Sequence, residues 1–488
     1  MNAKRRQDLL VTVDEGADAP LYQQVYEQIC EAIKRGSLQE GDKLPSIRGL
    51  ARSLGISHIT IEKAYLQLDV EGYVESVPRS GFVVRPIDID YFKHEGPDNA
   101  AEVDALAAQR RGSGFFGECI AGQTARYDFS YFNLQPGSFP MRTWARLYNE
   151  TILSMGDVAL VSYPVTEQPS ALQVELAHYL HRVRGLNCSP DQVLVFPGTE
   201  SALGALVNMF DPALDIVGVE EPGYLTALDV AARGHFKVAP IACRPGSSER
   251  FLADVERHCP RIVFTTPSHQ YPTGVIMPLD VRIRLIEWAH DNDAFIIEDD
   301  SCYEYRYETR AIPSLQSLDN RNRVAYLCNF SKAFSPALRI AYLVLPPELL
   351  ERYYDTYGNS YTDVPADVQN TLARFIADGH YDQHVRRMQT GNHARHDRLL
   401  KCLSEKFGDS IELSGVDSGM HFFARVKNGM TQEELIASAR AHDANVYGTR
   451  NFWFASPAPD DALMIGFSSI ALEDIEPGTE ALRKAWLG

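Results

Sequence analysis

Several familiar signatures are missing from this chain of 488 residues. Its eight cysteines, at 30, 119, 188, 243, 259, 302, 328 and 402, form no C-x-x-C pair, which argues against a zinc knuckle or a redox dithiol and suits reduced thiols. No apolar run reaches the roughly 18 to 20 residues that a membrane helix needs. The opening, Met1 to Pro20, has no hydrophobic stretch behind Lys4, Arg5 and Arg6, so the expected location is the cytoplasm. No internal repeat is evident, and no cluster suggests a metal. What remains, with 45% hydrophobic, 23% charged and 10% aromatic residues, is the composition of an ordinary globular protein. At roughly 150 residues per domain the length gives two to four folding units.

Positive net charge is missing as well, the balance being −18. The acidity is uneven. Residues 1–85 carry 11 basic and 12 acidic side chains (net −1), which leaves 36 against 53 (net −17) for the rest. Residues 34–63 hold six basic side chains (Lys34, Arg35, Lys43, Arg48, Arg52, Lys63) against Glu40, Asp42 and Glu62. A local basic face matters more for phosphate contact than global charge does.

Within residues 1–85 the apolar spacing predicts three helices. Leu21, Val25, Ile29 and Ile33 recur at i, i+4 behind Pro20 and stop before Gly36. Ser46 caps a short helix with Ile47, Leu50, Ala51 and Leu54 inward, ended by Gly55. Ser57 caps a third with Ile61, Ala64, Tyr65 and Leu68 on one face. Two short helices around a glycine turn make a helix-turn-helix, and 73–84 reads as a small hairpin, a wing. Ser57, His58, Thr60 and Lys63 then fall at the end of the third helix that would enter a major groove. Ser46, Arg48, Arg52 and the wing-tip Arg79 are placed to hold phosphates. A bare trihelical pattern would equally suit a small subdomain with a solvated basic side.

The residue string favours the reader of DNA. Gly41-Asp42-Lys43-Leu44-Pro45-Ser46-Ile47-Arg48, the Leu54-Gly55-Ile56-Ser57 step and Glu71-Gly72-Tyr73 resemble the winged-helix domain of the GntR family along its whole length. Double-stranded DNA is the partner implied. His58 stands where that family usually has Arg, which implies a weaker or pH-dependent contact there.

Residues 86–125 lack sustained periodicity and read as a linker. From 126 to 488, short apolar strands alternate with longer helical patterns, the signature of an α/β domain with a mostly parallel sheet. Val193 to Phe196 is a strand whose turn, Pro197 to Ser201, leads into a helix from Ala202 to Phe210; a glycine-led helix start of this kind suits a phosphate. Strands 261–265, 294–298 and 324–328 end in Ser268-His269-Gln270, Asp299-Asp300 and Ser331-Lys332. All should face one sheet edge, where ligands of open α/β sheets sit.

Those elements resemble the fold-type I aminotransferases, including a smaller C-terminal α+β subdomain. The resemblance implies pyridoxal 5'-phosphate bonded to Lys332, with Arg339, Ser331, Gly198 and Thr199 as the phosphate clamp. It implies Asp299, with Asp300 as runner-up, at the pyridine nitrogen, Tyr224 stacked on the ring, and His269 beside it. Neighbouring Arg339, with a buried setting for Lys332, would favour the neutral amine. A winged helix joined to such a domain is the layout of the MocR subfamily of GntR regulators. Membership implies a homodimer that uses the large domain as a sensor of a small amine or amino compound, or of pyridoxal phosphate itself, and not as an enzyme. A working aminotransferase with an accessory DNA-binding domain is the alternative. Three departures from the pattern stand out. Ser301-Cys302 separates Asp300 from Tyr303, the candidate for the cofactor's phenolic oxygen. Glu200 sits in the phosphate turn and has to point away from a phosphate. The strand at 462–467 has no Arg for a substrate carboxylate, which leaves Arg450 as the nearest basic side chain.

Overall fold

A computed structural model of the chain describes residues 11–14, 16–17, 19–86, 125–162, 169–307, 312–358 and 363–488. It divides into two compact units, 1–112 and 113–488. The segment read as a linker lies, except for its end residues, outside the described residues.

In the first unit, helix α1 (Leu21–Lys34) starts after Pro20 and buries Val25, Ile29, Cys30 and Ile33. Helix α2 (Ile47–Leu54) is capped by Ser46, whose Oγ accepts from Gly49 N–H at 3.1 Å, and stops at Gly55 in the left-handed region. Ser57 Oγ accepts from Ile59 N–H at 3.2 Å and opens helix α3 (His58–Val70). Strands β1 (Val74–Val77) and β2 (Gly81–Val84) form the antiparallel wing. Ile61, Tyr65 and Leu68 on α3 close a core with Val25, Ile29, Leu50, Val74 and Val84, and Tyr65 Oη reaches Pro45 O at 3.0 Å. The three helices and the wing are those expected from periodicity and caps.

The second unit opens with β3 (Tyr127–Asp128), α4 (Met141–Val161) and α5 (Ala171–Arg184). Its main sheet contains β4 (Val193–Phe196), β5 (Ile216–Glu221), β6 (Lys237–Ala242), β7 (Ile262–Thr265), β8 (Phe295–Asp299), β9 (Val324–Asn329) and β10 (Ala341–Val344). The helices between them are α6 (Thr199–Val207), α7 (Leu225–Arg233), α8 (Ser248–His258), α9 (Leu279–Asp291) and the short α10 (Leu315–Leu318). The order is β4-β10-β9-β8-β7-β5-β6, and only β10 runs against the others. Side chains alternate across the sheet: Ile262 and Phe264 pack on one face and Val263 on the other, so both faces are covered.

Beyond β10 come α11 (Pro347–Tyr357), α12 (Ala366–Ala377) and the long α13 (His380–Phe407). The smaller subdomain follows: β11 (Ile411–Ser414), β12 (His421–Val426), α14 (Gln432–Ala441), β13 (Ala444–Asn445), β14 (Tyr447–Gly448), β15 (Ala462–Gly466) and α15 (Ile475–Leu487). Its antiparallel sheet has the order β11-β12-β15-β14, while β3 pairs in parallel with β13. Helix α6 begins at Thr199, three residues before the expected Ala202, because Gly198 at φ +102° already completes the turn. The seven described cysteines are all free, and no described helix is long and apolar enough to cross a membrane.

Candidate functional site

On the first unit, Ser46, Arg48, Arg52, Ser57, His58 and Arg79 are exposed and Thr60 half-buried. The two serine hydroxyls accept cap bonds and still have a proton to donate. Lys63 is exposed too, its ammonium 3.8 Å from the centroid of the Tyr22 ring on α1. Ile59, which the sequence reading passed over, is 64% exposed between His58 and Thr60. Ile61 points inward, and two residues back along a helix is about 200° around it, so position 59 has to point out.

On the second unit, strands β4, β5, β7, β8 and β9 bring their carboxyl ends to one edge, and the site is assembled from the turns that follow. From β4 comes Gly198. An ideal Cβ there would sit 2.6 Å from Arg339 Nη2, so the guanidinium lies directly against the glycine backbone. Arg339 is exposed and takes the left-handed region at φ +52°. No ion pair joins it to a carboxylate among the described residues. Thr199 and Glu200 lead α6, where first-turn N–H groups have no intrahelical partner. The Glu200 carboxylate turns out of this cradle to Arg233, 2.5 Å away on α7, so it contributes only backbone.

Asn329, the last residue of β9, ties these turns together and was not singled out from sequence. Its Nδ2 donates to Thr199 Oγ1 (3.1 Å) and to Ser301 Oγ (2.7 Å), and its Oδ1 accepts from Ser331 N–H (2.9 Å). Ser301 in turn donates to Asp299 Oδ1 from its hydroxyl and from its N–H (3.0 Å). Burial pushes the Asp299 carboxyl up to about 6 in spite of those donors. Asp300 points the other way, as strand alternation requires. It is fully buried, 2.7 Å from Arg184 Nη2, and accepts from Tyr326 Oη at 2.9 Å. Its charge is thereby committed to the core, which separates the two adjacent carboxylates.

Lys332 is half-buried. Its Nζ donates to Tyr131 O at 3.0 Å and lies 4.3 Å from the Tyr131 ring centroid and 5.5 Å from that of Phe132. The Tyr131 hydroxyl donates to that of Tyr271. His269 Nε2 lies 3.4 Å from His421 Nδ1, and His421 Nε2 lies 2.8 Å from Pro272 O. A carbonyl only accepts, so His421 carries its proton on Nε2 and accepts from His269 at Nδ1. Burial, then the neighbouring His421 and Lys332, hold His269 well below its ordinary pKa; burial takes His421 down to about 4. Gly419 makes room for this pair, since a Cβ there would fall 2.2 Å from the His269 ring. Gln270 acts as a brace: its Nε2 donates to Pro222 O and Tyr271 O, each at 2.7 Å. Tyr224 stacks near Phe264 (21° between planes) and meets Tyr271 edge-on; burial, then Asp299, pushes its phenol up to about 12.

Two expectations are overturned. Tyr303 does not reach this edge. It packs in the core with its hydroxyl on that of Tyr179 at 3.1 Å and its ring 5.1 Å from the Arg184 guanidinium, because the turn after Asp300 directs it behind the sheet. Arg450 is held by Glu433 and by Asp460 (2.9 Å), which use up its charge at the surface. In β15 the residue facing Tyr131, Tyr271, Tyr447 and Phe452 is Met464.

A winged helix and an aminotransferase-like α/β unit in one chain define a class: DNA-binding regulators with a borrowed enzyme fold. The model of bacterial regulatory proteins of the gntR family matches residues 21–84. The chain is 32% identical over 480 residues to the HTH-type transcriptional regulator YdeL of Bacillus subtilis, covering 98% of this chain and 99% of that protein. It is also 32% identical over 485 residues to the probable rhizopine catabolism regulatory protein MocR of Rhizobium meliloti, covering 98% and 96%. The crystal structure of LysN, the alpha-aminoadipate aminotransferase of Thermus thermophilus, complexed with N-(5'-phosphopyridoxyl)-L-leucine, shares the fold. That match has a TM-score of 0.68 at 23% identity and covers 80% of this chain and 98% of that one. This chain belongs to the MocR subfamily of GntR-type transcriptional regulators.

Proposed function

We propose that the large unit of this transcription regulator holds pyridoxal 5'-phosphate and uses it to sense a small amine or amino compound, or the cofactor itself, without metabolic turnover. The observation that carries the reading is the convergence on one sheet edge of the Gly198–Arg339 cradle, the buried Asp299 and the amine of Lys332. Each suits one part of the cofactor. Arg339, the Thr199 and Glu200 N–H groups and Ser331 would hold the phosphate. Asp299 would pair with the ring nitrogen, whose positive charge offsets the cost of burying the carboxylate, and Tyr224 would cover the ring face. When bound, the cofactor supplies an aldehyde carbon that joins amines reversibly. Lys332 is the amine this chain offers it.

On the DNA side, Arg48, Arg52 and Arg79 would position the wing and helices on phosphates, with His58, Ile59 and Thr60 against base edges. A homodimer would present two such units to repeated half-sites, and a ligand that favours one arrangement of the dimer would change operator affinity. A metabolic role finds less support, because Arg450 is occupied by Glu433 and Asp460 and Met464 faces the site.

The test combines spectrum and footprint. Purified protein with added cofactor should absorb near the visible boundary, and Lys332→Ala should abolish that band. A footprint with repeated half-sites should respond to cofactor or amine. A colourless chain, or one turning over amino donors at roughly 1 to 1000 per second, would defeat the sensor reading.

A further inference from the structure

The aromatic wall of the Lys332 site differs chemically from a site built for amino acids. It is made of Tyr131, Phe132, Tyr271, His421 and, behind them, Met464. These are aromatic or thioether surfaces carrying two linked phenol hydroxyls and one neutral imidazole pair. The imidazoles cannot supply a cation near neutral pH, since each is buried beside Lys332 and beside the other. Three candidate arginines have other partners. Arg339 lies on Gly198, Arg450 is shared by Glu433 and Asp460, and Arg395 donates to Phe467 O (3.1 Å) and Asn392 Oδ1 (3.1 Å).

Once Lys332 is committed to the cofactor, a carboxylate brought to such a wall would leave its water and meet no countercharge, a loss that rings and phenols do not repay. A neutral aromatic or hydroxylated tail, by contrast, keeps its hydrogen bonds through the Tyr131–Tyr271 pair and gains contact with the rings. Resting on the proposed function, we infer that the effector of this regulator is a primary amine with no carboxylate or other anionic group on its tail. Tyr131 and Tyr271 recognise that tail.

Matched ligands that differ only in the carboxylate test this directly: 2-phenylethylamine against L-phenylalanine, and ethanolamine against L-serine. The full-length, cofactor-loaded protein is titrated with each while its absorption spectrum is followed, and binding heats are measured in parallel. The amine of each pair should half-saturate the protein at a concentration at least tenfold lower than its amino acid. Tyr271→Phe should weaken ethanolamine more than ethylamine. Amino acids that bind as well as their amines would overturn the inference; if Arg395→Met then removes that binding, Arg395 is the clamp. Silence from every amine would overturn it too and leave the cofactor itself as the signal. Failure to take up cofactor at all is a separate result, seen before any ligand is added, and it removes the proposed function together with the inference.

Discussion

The Arg339 guanidinium occupies the space in which a side chain at position 198 would begin, 2.6 Å from where that Cβ would be. Glycine is required twice over at this point, because φ is +102° as well. Gly198→Ala should therefore push Arg339 out of the cradle and strain the turn. We expect a stability loss of about 1–2 kcal/mol and a cofactor affinity at least tenfold weaker, read by absorbance titration with pyridoxal phosphate. Unchanged affinity would mean that the cradle does not hold the phosphate.

The adjacent aspartates should separate cleanly on mutation. Asp300→Asn leaves Arg184 buried with a weaker partner and should cost about 3–5 kcal/mol in urea unfolding. Asp299→Asn should leave the core intact and instead weaken cofactor binding and alter its spectrum. Interchanged phenotypes would reassign the pyridine partner to Asp300.

Asp299 also sets a pH dependence. Burial pushes its carboxyl up to about 6 in the folded chain, against 3.8 for an ordinary aspartate, so the native state holds this proton more tightly than the unfolded state. The stability it contributes is complete below about pH 4 and is lost as pH rises through 6. Without cofactor, Asp299→Asn should be more stable than the parent at pH 7 by roughly 1–3 kcal/mol, with the gap closing toward pH 4. Denaturant midpoints at pH 4.5 and 7 read this out, and a gap that widens on acidification would contradict it. Cofactor should narrow the gap at pH 7 by giving the carboxylate a cationic partner.

On the winged helix, Arg48→Ala and Arg52→Ala should each weaken binding to all sequences alike and reduce the slope of log affinity against log salt by about 1. Ile59→Ala should instead act on sequence preference, costing roughly 1 kcal/mol at a base pair whose thymine methyl it covers and leaving the salt slope alone. Band-shift titrations at several salt concentrations distinguish the two behaviours.

Much of this is legible in the sequence. The three helices and wing follow from i, i+4 apolar rows closed by Ser46, Gly55 and Ser57, which are local signals. The turns carrying Gly198, Asp299 and Lys332 were found because a strand followed by a turn is also local, and strand direction then placed them on one edge. Asn329 and Gly419 escaped notice, the first because an asparagine at a strand end is unremarkable, the second because its neighbour His269 is 150 positions away in sequence.

Sequence alone thus determined which elements form and which turns share an edge, because capping, periodicity and chain direction act over a few residues. Only the tertiary structure decided where side chains point once those elements pack. It drew Glu200 to Arg233, sent Tyr303 into the core with Tyr179 and tied Arg450 between two carboxylates. Each outcome depends on partners distant along the chain, and the strength of a charge or hydrogen bond is set by what surrounds it after folding.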